Sequence, residues 1–247
     1  MRQSLPRLGF VLGASLLVVG VAIGATNPEK CTDGRAKALI RYQNCMQKLV
    51  AKAYLDPDID QSKFSKCRER YAEAWAKLQD LTGTVCEGAR WEDNGDDTVT
   101  DKLTGLVWEK KRNLDLVEDF ADPHDANNEY TWTDGDADEA NEDGTLFSDF
   151  LAKLNAAPGF AGANGWRLPT VVELQTILLS EPYPCVTDPC INTDVFGPTK
   201  SMSYWSATSG ANGVPTAAWD VDFVSGCVNC HSKPTSFPAR AVRGGLF

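Results

Sequence analysis

The pattern of apolar and polar positions divides the chain into three stretches. The first is an apolar run from Leu8 to Gly24, preceded by Arg2 and Arg7 and followed by small residues. No acid occurs before Glu29. A positive start, an apolar stretch and a small-residue exit form a secretory leader over residues 1–25, cut after Gly24 or Ala25. The alternative is an uncleaved anchor, but the run falls short of the roughly 20 residues that span a bilayer.

The second stretch, residues 26–88, has helical spacing. Ala36, Leu39, Ile40, Cys45, Leu49 and Val50 predict a helix over Gly34–Leu55. Asp56-Pro57-Asp58 breaks it. Phe64, Cys67, Tyr71, Trp75 and Leu78 predict a second helix over Ser62–Leu81, ended by Gly83. Cys45 with Cys67, and Cys31 with Cys86, are placed about evenly around the Asp-Pro-Asp turn. An antiparallel hairpin with nested bridges Cys31–Cys86 and Cys45–Cys67 follows. Two short helices bury too little alone, and such staples add about 2–4 kcal/mol each. The hairpin reads as a spacer, cap or oligomerisation element.

The third stretch, residues 89–247, alternates short β-prone segments with Gly, Asn and Asp turns. Strands are expected at Thr98–Thr100, Gly105–Glu109, Ser203–Ala207, Ala218–Val224 and Ala239–Val242, with helices at Leu146–Leu154 and Thr170–Leu179. This order predicts an α+β domain. Asn113–Asp143 is rich in acids and lacks Lys and Arg, which predicts a long solvated loop.

Composition then narrows the function. The net charge is −10, and losing Arg2 and Arg7 with the leader makes it more negative. That disfavours nucleic acid and simple electrostatic capture of polyanions. It suits neutral glycans, cations or basic partners. All eight Cys follow the leader, so disulfides are expected before metals. No other apolar run is long enough to span a membrane once the leader is removed.

Several motifs invite chemistry. Asp93, Asp96, Asp97 and Asp101 offer closely spaced oxygen ligands for calcium, but no EF-hand pattern is met and Asn94-Gly95-Asp96 suits a turn. Asp134, Asp136, Asp138, Glu139, Glu142 and Asp143 form a second acidic run, read as a solvated charge cluster. Cys185 and Cys190 flank a short loop that a local disulfide would close. Cys227-Val228-Asn229-Cys230-His231 has the spacing of c-type haem attachment. The competing reading is a Cys227–Cys230 disulfide pinning a hairpin. Gly-x-Ser-x-Gly and His-Glu-x-x-His are both missing, so no catalytic constellation supports an enzyme.

Six blocks carry a resemblance. They are Trp91–Glu109, Gly165–Leu174, Phe196–Thr199, Tyr204–Thr208, Ala218–Phe223 and Arg240–Arg243. In this order they resemble the Lcl C-terminal domain family, named for a Legionella collagen-like adhesin, over about residues 90–247. The resemblance implies a C-type-lectin-like fold, with the domain's ends paired as neighbouring strands and long loops forming a binding face. It implies an exported adhesion-type protein that is secreted, periplasmic or at the cell surface. Its partner would be a glycan or a surface protein. A structural envelope or scaffold role is a further alternative, as is a monohaem redox protein. The Trp-Arg-Leu-Pro-Thr block is also similar to formylglycine-generating enzymes, whose reactive Cys site has no counterpart here.

Most residues in these blocks suit structural roles. Trp108, Trp166, Trp205 and Trp219 are expected in the core. Arg167, Arg240 and Arg243 are expected to pair with buried acids or carbonyls. Thr170 and Glu173 fit a capping box.

Overall fold

A computed structural model describes residues 28–56, 58–82, 90–135, 141–210 and 214–245. The expected leader, the Cys31–Cys86 pairing, Pro57 and Gly83 lie wholly or partly outside those residues.

Helix α1 (Pro28–Ala53) and helix α2 (Ser62–Thr82) form the hairpin. The buried stripe of α1 is Leu39, Tyr42, Met46, Leu49 and Ala53, at helical spacing, whereas Ile40 is exposed. Tyr42 stacks on Tyr71 across the hairpin with ring centroids 4.5 Å apart. Cys45 and Cys67 are disulfide-bonded. The Asp60 carboxylate accepts from the backbone N–H of Ser62 at 3.0 Å and helps open α2.

The rest of the described residues are α+β with two antiparallel sheets. The first has the order β1 (Trp91–Asp93), β2 (Thr98–Asp101), β3 (Leu106–Glu109) and, last in sequence, β7 (Val242–Gly244). The domain's first strands and its final strand thus share one sheet. The second has the order β4 (Ser203–Ser209), β5 (Ala217–Asp222) and β6 (Val228–Ser232). Between the sheets lie a π-helical turn Leu146–Leu151 running into α3 (Ala152–Asn155), then α4 (Val171–Leu174) and α5 (Thr193–Phe196).

Three expectations need correction. The last strand starts at Val242 and not Ala239, because Ala239, Arg240 and Ala241 bury their side chains ahead of the pairing with β3. The Thr170–Leu179 helix is short, since α4 passes into a 3-10 turn at Gln175–Ile177. The acidic stretch is not solvated throughout. His124, Asp125, Asn127, Asn128, Tyr130 and Trp132 are all buried. Tyr130 and Trp132 join a second core with Phe150, Trp166 and Trp205, and burial of those rings outweighs the acidic surroundings.

The hairpin and the domain share the larger core, which runs from Leu39, Met46 and Phe64 to Val99, Trp108, Leu174 and Val221. Buried Arg68 of α2 crosses this junction and donates to the Gln175 side chain. Gly197 explains one sequence block. Its φ is +76°, and a Cβ there would collide with the Lys111 carbonyl.

Candidate binding site at the open edge of the second sheet

Strand β6 forms one edge of the second sheet. Its register with β5 sets Cys230 opposite Trp219, His231 opposite Ala218 and Asn229 opposite Asp220. Alternation therefore sends Val228 and Cys230 to one face and Asn229 and His231 to the other. The end of the helical hairpin meets this edge. Ala53, Ile59 and Gln61 combine with Trp219, Val228, Asn229, Cys230 and His231 to line a cavity of about 360 Å³.

The polar groups of the site are held from behind. The Nδ1 of His231 lies 2.7 Å from Oδ2 of Asp220, a fully buried carboxylate. That hydrogen bond pushes the imidazole pKa up; partial burial opposes it, and the Asp220 charge reinforces it. The other oxygen of Asp220, Oδ1, has no hydrogen-bond partner among the described residues. The Gln61 amide bonds both backbone groups of Val228, fixing the hairpin turn beside the strand. Burial, and then the Asp220 charge, push the Cys230 thiol pKa up, so it stays protonated and is a poor nucleophile. The arrangement offers an apolar wall, amides and a charged imidazole, which suits binding a polar ligand with apolar faces.

The expected Cys227–Cys230 disulfide is not formed, and both residues carry thiols. Cys230 lies in an extended strand, where three residues span roughly 10 Å, too far for the Cα separation of a disulfide. Cys227 Sγ instead donates to Tyr183 Oη at 3.2 Å. The same geometry bears on haem. Cys227 contacts Tyr183 while Cys230 stands beside Trp219, so the two thiols are not presented together to one macrocycle. These residues do not fit a covalently attached haem.

The calcium candidates are engaged elsewhere. Asp93 pairs with Lys110 at 2.8 Å, and Asp96 accepts from Thr98. Asp97 occupies a turn at φ +61° and approaches Arg112. Asp101 is buried against Arg90 and Thr104. Among the described residues no group of three or more His, Cys, Asp or Glu could hold a metal ion. In the later acidic run, Asp143 accepts from the Asp134 backbone, while Asp136, Asp138 and Glu139 lie outside the described residues.

The remaining motif residues build scaffold. Cys185 and Cys190 are disulfide-bonded, and Glu181 accepts from the Val186 and Thr187 backbone inside that loop. Trp108, Trp166, Trp205 and Trp219 are buried. Arg167 grips the Glu173 carboxylate with two bonds of 2.7 and 2.8 Å, and Thr170 and Glu173 complete both halves of a capping box. Arg240 is buried and donates to the Phe196 carbonyl at 2.9 Å. Arg243 departs from expectation. Its guanidinium lies over the Trp166 ring, 5.4 Å from the centroid, and makes no hydrogen bond among the described residues. A guanidinium on an indole face gains a cation–π contact instead of an acid partner.

Sequence reasoning missed Gln61, Asp220 and Asn229 as parts of one site. Asn229 and Asp220 stood inside recognised motifs, but Gln61 lies 167 residues from Val228 and nothing local marked it.

No curated protein matches the chain significantly. The sequence profile of the Lcl C-terminal domain matches residues 97–243, from the turn before β2 into β7. That span is more than half of the 247 residues, so the chain belongs to the Lcl C-terminal domain family.

Proposed function

We propose that this is an exported, adhesion-type binding protein, not an enzyme, that recognises a glycan or another surface ligand. Family membership and two disulfides among the described residues support a role outside the reducing cytoplasm. The observation that carries the ligand reading is the cavity at β6. At about 360 Å³ it suits a ligand the size of one or two sugar units. Trp219, Ile59 and Val228 supply apolar contact, while Asn229, Gln61 and the His231–Asp220 pair can answer hydroxyl groups.

A glycan array probed with the exported chain, then repeated with Asn229→Ala and His231→Gln, tests this. The expected result is a defined hit whose affinity falls about tenfold or more in either variant. A hit indifferent to both variants would move recognition off this cavity. Folded protein that binds no glycan or surface protein would sink the adhesion reading.

A further inference from the structure

The outer face of the hairpin carries a groove lined by cations. Arg41, Lys48 and Lys52 recur on one face of α1, and Lys63, Lys66 and Arg70 on one face of α2. They form two rails, roughly 16 Å long on α1 and roughly 10 Å long on α2 at the helical rise, beside a groove of about 520 Å³. Leu49 and the Cys45–Cys67 disulfide lie between them. All six cations are exposed, and none forms an ion pair among the described residues. No acid lines the groove. In a chain of net charge −10, this is a local reversal of sign.

The complementary chemistry protrudes elsewhere on the same chain. Every residue from 112 to 121 is exposed. Leu116 and Val117 are 85% and 65% exposed, flanked by Leu114 and Phe120. Asp115, Glu118 and Asp119 alternate with these apolar residues. Among the described residues their carboxylates accept only from nearby amides, at Val117, Asn127, Glu129 and Ala121, and meet no cation. Exposed apolar clusters of this kind mark contact surfaces. No residue of this loop lines the groove of its own molecule.

We propose that the basic hairpin groove of one molecule receives the 112–121 loop of a second copy. One contact would pair three acids with the rails and cover the apolar side chains against Leu49 and the helix stems. A linear polyanion would answer the rails but leave Leu116 and Val117 in water, so a second copy accounts for more of what is exposed. A single contact leaves each copy a free loop or a free groove, and through these the contact is heterologous and propagates head to tail.

Sedimentation velocity of the exported full chain tests this at low and high salt. Concentration-dependent growth beyond dimers at low salt, reversed by high salt, is the expected result. Lys63→Glu with Lys66→Glu blocks the groove, and Leu116→Ser with Val117→Ser blunts the loop. All four positions are exposed, and circular dichroism checks that both variants fold. Each variant alone should be monomeric. Mixed in equal amounts, they should give a capped one-to-one dimer, since one retains the loop and the other the groove. A wild-type chain that stays monomeric at low salt, or assembly that neither variant affects, overturns the proposal. So does a monomer held by immobilised dextran sulfate through Lys63 and Lys66, which would assign the groove to a polyanion.

Discussion

The side-chain amide of Gln61 pairs with the backbone of Val228 as a neighbouring strand would. Its Nε2 donates to the Val228 carbonyl at 3.2 Å, and its Oε1 accepts from the Val228 N–H at 3.1 Å. A primary amide carries the same donor and acceptor as a peptide group, so one residue from the hairpin turn caps part of an edge strand. Gln61→Ala should lower stability by about 1–2 kcal/mol and speed amide exchange at Val228. Unchanged melting and unchanged exchange would show that the pairing does not dock the hairpin.

The His231–Asp220 pair sets a pH dependence. The folded-state pKa of His231 is raised, chiefly by its hydrogen bond to Asp220. Its stabilising contribution is therefore fully present below the ordinary histidine value of about 6.5 and lost as pH rises through the folded value. The wild-type melting temperature should fall relative to His231→Gln as pH is raised across that window. Parallel curves for the two proteins would contradict the pairing.

Glu109 anchors a buried charge network. Its Oε1 lies 2.9 Å from both Lys111 Nζ and His124 Nδ1, and its Oε2 accepts from the Ala241 N–H at 2.9 Å. Burial pushes the carboxyl pKa up, but Lys111 and His124 outweigh it and hold it below the usual glutamate value. The stabilisation is present above about pH 4.3 and lost as pH falls through the folded value. Lys111→Met strips one buried countercharge and should cost about 3–5 kcal/mol. Its acid-unfolding midpoint should move to higher pH, and an unmoved midpoint would argue that Lys111 does not hold the carboxylate ionised.

Cysteine labelling separates the readings of the Cys-x-x-Cys-His motif. Alkylation in denaturant without reductant should modify Cys227 and Cys230 but spare Cys45, Cys67, Cys185 and Cys190. Protection of both Cys227 and Cys230, with a mass two hydrogens light, would mean that β6 is not extended there. An added haem mass would mean the same.

Local patterns were legible where one segment's own chemistry sufficed. Helical spacing located α2 and the end of α1 within two residues, because an amphipathic stripe needs only a face to bury, although α1 begins at Pro28, ahead of the expected Gly34. Thr170 and Glu173 declared their capping box because both partners sit within one turn. Patterns that depend on distant partners misled. Cys227 and Cys230 looked like a pair because they are close in sequence, yet strand geometry separates them. The acids around Tyr130 and Trp132 looked solvated because the rings' partners, Phe150 and Trp205, lie far along the chain.

The sequence by itself determined the α+β class, the helical hairpin with its Cys45–Cys67 staple, and the family of the C-terminal domain. These rest on periodicity, short spacings and ordered motifs, all written along one dimension. Only the tertiary structure decided that the hairpin shares a core with the domain and that Gln61, Trp219, Asn229 and His231 meet around one cavity. It also placed a basic groove and an acidic, apolar loop on separate surfaces. The physical reason is that burial and pairing are properties of contacts, and contacts between residues more than a hundred positions apart leave no local mark on the chain.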